Sequence, residues 1–177
     1  MISKRAEEIQ PFLAMEVLER ATALEREGAR IVHLELGEPD FPTPACIKEA
    51  PALWLLFSAL LERGDEVILT NPHYACYTNI VRFAGGEPVL VPTPEADGFQ
   101  FRPEAVAARI TPRTRAILLN SPANPTGALL PAERMRALAR LGPLVVSDEI
   151  YHGLTYEGRE HSILEFTDRA VVLNGFS

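Results

Sequence analysis

Leu144-Val145-Val146-Ser147-Asp148-Glu149-Ile150-Tyr151 is the stretch that decides the fold. A short apolar run stops at a carboxylate, and a phenol follows three residues later. The run has strand length and suits a strand covered on both faces. In α/β proteins the carboxyl ends of such strands form the ligand crevice, so this run would deliver an acid and a hydroxyl to that edge. A second run, Ala116-Ile117-Leu118-Leu119, ends the same way in Asn120-Ser121-Pro122-Ala123-Asn124-Pro125-Thr126-Gly127. Two strands presenting polar groups at one edge point to a ligand site.

Outward from these strands the pattern is regular. Residues 66–69, 88–91 and 170–173 read as strands, and residues 74–83, 103–109 and 131–141 as helices. Strands alternating with helices imply a mostly parallel sheet with flanking helices, an α/β fold. Nearer the start, Met15, Leu18, Ala21 and Leu24 make one face of a helix over residues 11–27, with Gly28 as its stop. Residues 31–36 alternate as a short strand, and residues 37–42 make a rigid loop. A helix falls within residues 44–63. Proline inside a helix costs about 3 kcal/mol, so Pro51 is expected to start that helix rather than interrupt it.

At 177 residues the chain can hold one full domain, or one domain with an appendage. Its composition, 47% hydrophobic and 23% charged, is that of a soluble globular protein. A net charge of −7 argues against nucleic-acid binding, which needs clustered Lys and Arg. Cys46 and Cys76 have no CxxC partner, so the sequence indicates neither a disulfide framework nor a metal site. The first residues lack the apolar run of a signal peptide, and the longest apolar stretch, residues 51–61, is too short to span a bilayer. The expectation is a cytoplasmic protein without membrane contact.

Taken singly, the polar residues are ordinary. An Asp after a strand is a common helix N-cap, Asn-Pro-Thr-Gly is a turn, and a lone Tyr is usually a half-buried aromatic. His73 and His152 read as packing or surface residues, His33 falls in a strand and His161 in a loop with no partner visible in sequence, and Ser121 either approaches a ligand or satisfies its own turn. No GxGxxG spacing is present, so a nicotinamide fingerprint is absent.

In combination and in this order, the residues resemble the class I/II aminotransferases, pyridoxal 5′-phosphate (PLP) enzymes of fold type I. The motifs are Leu34-Glu35-Leu36-Gly37-Glu38-Pro39-Asp40-Phe41, Gly64-Asp65-Glu66-Val67, Asn71-Pro72-His73-Tyr74, residues 120–127, residues 147–151 and Asn174-Gly175-Phe176-Ser177. The resemblance implies that Asp148 faces the pyridine nitrogen and keeps it protonated. It implies that Asn124 and Tyr151 donate hydrogen bonds to the 3′ oxygen and that Tyr74 stacks on the ring. Gly37 would let backbone approach the substrate carboxylate.

The same resemblance implies two departures. In the family, the strand matching residues 170–174 leads through Gly-Phe-Ser-type residues into the lysine that forms the Schiff base. Here the chain reads Ser177 at its last position, and its two lysines, Lys4 and Lys48, do not match that place. No catalytic lysine is therefore assigned. Family members also carry an insertion near Ala50-Pro51, ending in a turn that cradles the cofactor phosphate. Pro51 has no N–H to offer there. The expected organisation is an N-terminal segment, residues 1–50, with the small-domain arm and substrate loop, then a truncated PLP-binding large domain, residues 51–177. The expected parent function is amino transfer between amino acid and 2-oxo acid substrates in a homodimer, with this chain inactive alone. A PLP-dependent lyase or synthase, or a non-catalytic shortened homologue acting as an assembly module, stay open as alternatives.

Overall fold

The computed structural model describes residues 13–33 and 52–174. The chain divides into two units at Glu49–Ala50. In the first, helix α1 (Leu13–Arg26) exposes Glu16, Glu19 and Arg20 while burying Ala21. Gly28, at φ +96°, closes it: the Gly28 amide donates to the Glu25 carbonyl and the Ala29 amide to the Leu24 carbonyl. This is the double bond of a glycine-terminated helix. Residues 31–33, expected to begin a strand, are not in one. Alternation sets only a preference, and a strand needs a neighbour's ladder.

The second unit is built on five strands: β1 (Glu66–Asn71), β2 (Glu87–Pro92), β3 (Thr114–Asn120), β4 (Leu144–Asp148) and β5 (Ala170–Leu173). They lie in the order β2-β1-β3-β4-β5, and every pairing is parallel. Helix α2 (Ala52–Leu60) precedes β1, and α3 (Cys76–Phe83), α4 (Pro103–Ala107) and α5 (Ala132–Ala139) run between strands, with short 3-10 turns at Glu95–Asp97 and Ile163–Glu165. The strand order reverses between β1 and β3. Crossovers depart in opposite directions there, which opens a crevice at the carboxyl ends of those strands.

Continuous apolar runs form the strands because both faces are covered. Val67 and Leu69 of β1, Ala116 and Leu118 of β3 and Val146 of β4 pack with Phe57 of α2, the adjacent Leu61, and Tyr77 and Val81 of α3. The alternate residues Ile68, Ile117, Leu119 and Val145 turn the other way, onto Val106 of α4, Met135 and Leu138 of α5, and Ile163. The period of two therefore fixes the side on which each strand-end residue projects.

Where α3 returns to β2, Gly86 approaches its neighbours closely. A Cβ there would lie 2.8 Å from Leu61 Cδ1, 3.1 Å from the Asp65 carbonyl oxygen and 3.2 Å from Val81 Cγ1. Gly86→Ala should destabilise the protein by about 1–3 kcal/mol, the usual cost of overpacking. Urea unfolding would show this as a lower midpoint; an unchanged midpoint would contradict the packing.

Candidate active site

Three segments meet at the crevice edge: residues 71–75 after β1, 120–127 after β3, and 148–151 at the end of β4. Asp148 is the last residue of β4 and pairs with Asn120 across the β3–β4 ladder. It shares its sheet face with Val146, so its carboxylate projects toward α3. There Oδ2 accepts the Tyr77 hydroxyl at 2.7 Å, while Oδ1 accepts the Ile150 amide at 3.1 Å. A turn rather than a helix follows Asp148, so the side chain caps a two-residue bend.

Asp148 is 8% exposed, and no described Lys, Arg or His pairs with it. Burial pushes its carboxyl above the usual range, and neighbouring Glu149 pushes the same way. The bonds from Tyr77 and Ile150 pull it partly back. Among the described residues, this desolvated carboxyl is served by neutral donors.

Asn120 ties two of the segments together. Its Nδ2 donates to the Asp148 carbonyl at 2.9 Å, and its Oδ1 accepts the Asn124 amide at 2.6 Å. The turn beyond is closed by the Gly127 amide on the Ala123 carbonyl, with Gly127 at φ +69°. Held this way, Asn124 directs its Nδ2 to the Tyr151 hydroxyl, 3.1 Å away. Tyr74, the expected first residue of α3, lies outside that helix, which begins two residues later at Cys76. Its half-buried ring meets that of Tyr77 edge-on, with centroids 5.4 Å apart. Burial raises the Tyr74 phenol, reinforced by Cys76, Tyr151 and Asp148.

Asp148, Asn124, Tyr151 and Tyr74 are therefore brought together; Gly37 lies outside the described residues. Tyr77 and Asn120 were not singled out from the sequence. The spacing of three between Tyr74 and Tyr77 was the available signal for the first, and a polar residue ending β3 for the second. Ser121 is buried and accepts the Leu130 amide at 3.1 Å, so it satisfies its own turn. His161 bonds Glu165 at 2.9 Å and His33 faces Glu25 at 3.1 Å, partners the sequence did not reveal. His73 takes the packing role of the two expected for it, stacked on Tyr77 at 6.5 Å.

Glu149, one residue on, projects from the opposite face. Its Oε1 accepts the Ser147 hydroxyl, the Ser162 hydroxyl and the Ile163 amide at 2.8, 3.2 and 2.9 Å. An open cleft of about 640 Å³ flanks the cluster, lined by Asn124, Tyr151, Leu154 and Tyr156 among others; Asp148 and Tyr74 are not on its wall. Among the described residues no His, Cys, Asp or Glu cluster could hold a metal, and no helix is long and apolar enough to cross a membrane.

A family model described as aminotransferase class I and II matches residues 43–177. A probable aspartate/prephenate aminotransferase of Thermus aquaticus is 37% identical over 214 aligned positions, covering 91% of this chain and 56% of the relative. An aspartate aminotransferase of Geobacillus stearothermophilus is 33% identical over 234 positions, covering 99% and 60%. The structure of aspartate aminotransferase from Thermus thermophilus with maleate has a TM-score of 0.88 at 35% identity, covering 100% of this chain and 60% of that one. The chain thus spans less than two thirds of the length of these relatives. Alignments longer than 177 positions also mean that the relatives carry internal residues with no counterpart here.

Proposed function

The chain belongs to the class I and II aminotransferase family, and we propose that its crevice binds the ring of pyridoxal 5′-phosphate in a protein that transfers amino groups between amino acids and 2-oxo acids. The observation carrying this reading is the buried Asp148 carboxylate, held by two neutral donors at a sheet edge shared with the Asn124–Tyr151 pair. A desolvated carboxylate that no described Lys, Arg or His pairs with fits a ligand that brings its own positive charge, as a protonated pyridine does. When bound, the cofactor supplies an electron sink for the charge left by the departing substrate α-proton.

The chain's own residues would divide the work. Asp148 holds the proton on the ring nitrogen. Asn124 and Tyr151 donate to the 3′ oxygen, stabilising its negative charge. Tyr74 covers one face of the ring and excludes water from it. Gly37 would admit the substrate carboxylate. Neither Lys4 nor Lys48 matches the Schiff-base position, so we propose that the 177-residue polypeptide forms no borohydride-reducible bond with the cofactor in this crevice. We place the missing internal stretch near Ala50-Pro51, and we assign the whole protein to a homodimer.

Product analysis tests the activity of the whole protein carrying a lysine in that position. Incubated with PLP and an amino acid, it should make glutamate, and more of the matching 2-oxo acid than the cofactor present can account for, only when 2-oxoglutarate is added. Ammonia or side-chain fragments formed from the amino acid alone would overturn transfer in favour of a lyase.

A further inference from the structure

Tyr77 has no role in the reading above, yet among the described residues its side chain hydrogen-bonds the Asp148 carboxylate. We propose that Tyr77 is a positioning residue: its phenol fixes the orientation of the Asp148 carboxylate and favours its anionic form, while His73 and Tyr74 clamp the phenol ring. The proposal rests on the assignment of Asp148 as the ring-nitrogen partner.

The two residues come from opposite sides of a buried contact. Asp148 projects from β4 on the face covered by α3, and Tyr77 lies in the first turn of α3, 3% exposed and packed among Val67, Leu69, Ala116 and Val146. Their hydrogen bond is 2.7 Å, the short range of a charge-assisted O–H···O contact. The ring above that hydroxyl is held from two sides. Tyr74 meets it edge-on at 81°, and His73 lies nearly parallel to it, at 16°. A phenol so held needs no reorganisation to keep the carboxylate in one orientation.

Tyr77 is a donor that stays a donor. Burial, and then the nearby Asp148 charge, pushes its phenol far above the usual value. His73 adds no charge: burial lowers its imidazole, and Arg82 acts the same way. Among the described residues, the groups facing Asp148 are Tyr77, Tyr74 and Tyr151, with Glu149 beside it on the chain. None is cationic. An arginine or lysine in place of Tyr77 would cancel the carboxylate's charge, whereas a neutral hydroxyl orients it and leaves it available to a cationic ring.

Tyr77→Phe keeps the ring and removes only the hydroxyl. Carbon-13 NMR of labelled Asp carboxyls, with Asp148 assigned through Asp148→Asn, reads the consequence in the 177-residue protein without cofactor. The Asp148 titration midpoint should move upward in Tyr77→Phe, and PLP affinity by equilibrium dialysis should fall about tenfold. A purely structural tyrosine would lower the melting temperature and leave that midpoint in place. An unchanged midpoint in folded Tyr77→Phe overturns the proposal, whether or not PLP binds. A shifted midpoint in a protein that binds no PLP supports Tyr77's hold on Asp148 and overturns the cofactor reading instead. Should Tyr77→Phe fail to fold, 3-fluorotyrosine at position 77, a stronger donor, is expected to move the midpoint downward; no movement overturns the proposal.

Discussion

Asp148→Asn should weaken PLP binding by about 30- to 1000-fold while making the cofactor-free protein more stable near neutral pH. The first effect follows from removing one member of a buried charge pair, a loss of about 2–4 kcal/mol. The second follows from the direction of the Asp148 shift. Burial, the largest cause, raises its carboxyl, so the folded protein binds that proton more tightly than the unfolded chain does. Stability from this group therefore grows as pH falls through the raised value and is lost as pH rises above it. Asparagine removes the charge, keeps an oxygen for the Ile150 amide, turns its Nδ2 donor to the Tyr77 phenol oxygen, and should gain about 1 kcal/mol at pH 7. Denaturant titration of both proteins at pH 5 and pH 8 checks this. The advantage of Asp148→Asn should be larger at pH 8, and an advantage that grows toward pH 5 would contradict the assignment. Stability lost at a residue kept for binding is what a functional site predicts.

Glu149→Ala should act in the opposite sense, destabilising the fold by about 3–4 kcal/mol. Glu149 is 3% exposed, and its Oε1 gathers three donors from β4 and from the segment entering the last 3-10 turn. Removing the carboxylate strands the Ser147 and Ser162 hydroxyls and the Ile163 amide in the interior. Each unsatisfied group costs on the order of 1–3 kcal/mol, and the losses overlap rather than add. Because residues 150–162 run between its two anchor points, that loop should also become more open to proteolysis, carrying Tyr151 with it. Glu149→Gln retains an acceptor and should lose about half as much. Urea unfolding decides: a loss below about 1 kcal/mol for Glu149→Ala would show that these bonds do not hold the loop.

Asp148 and Glu149 are adjacent, alike in charge, and different in task. The period of two along β4 sends Asp148 to the face of Tyr77 and Glu149 to the face of Ile163. That division was not drawn from the sequence, although the alternation contains it. The strands themselves were legible because four- to seven-residue apolar runs between turn residues have few other uses. Their order was not, since it depends on which runs pair across crossovers. Helix limits were less secure: Tyr74 was placed in a helix that begins at Cys76. Local propensity does not distinguish the last loop residue from the first helical one. The residues that meet at the crevice edge, Asp148, Asn124, Tyr151 and Tyr74, were legible as a set through the order of their motifs. Tyr77 was marked only by its spacing of three from Tyr74, because its hydrogen bond joins residues 71 apart and a core tyrosine reads the same in sequence as a donor to an acid.

The central claim, an acid that keeps a bound pyridine nitrogen protonated, is most directly tested by nitrogen-15 NMR of PLP labelled at the ring nitrogen and bound to the protein at pH 8. The account predicts a protonated-nitrogen shift in the native protein that reverts toward the neutral value in Asp148→Asn. A bound ring whose nitrogen signal is the same in both proteins would contradict it.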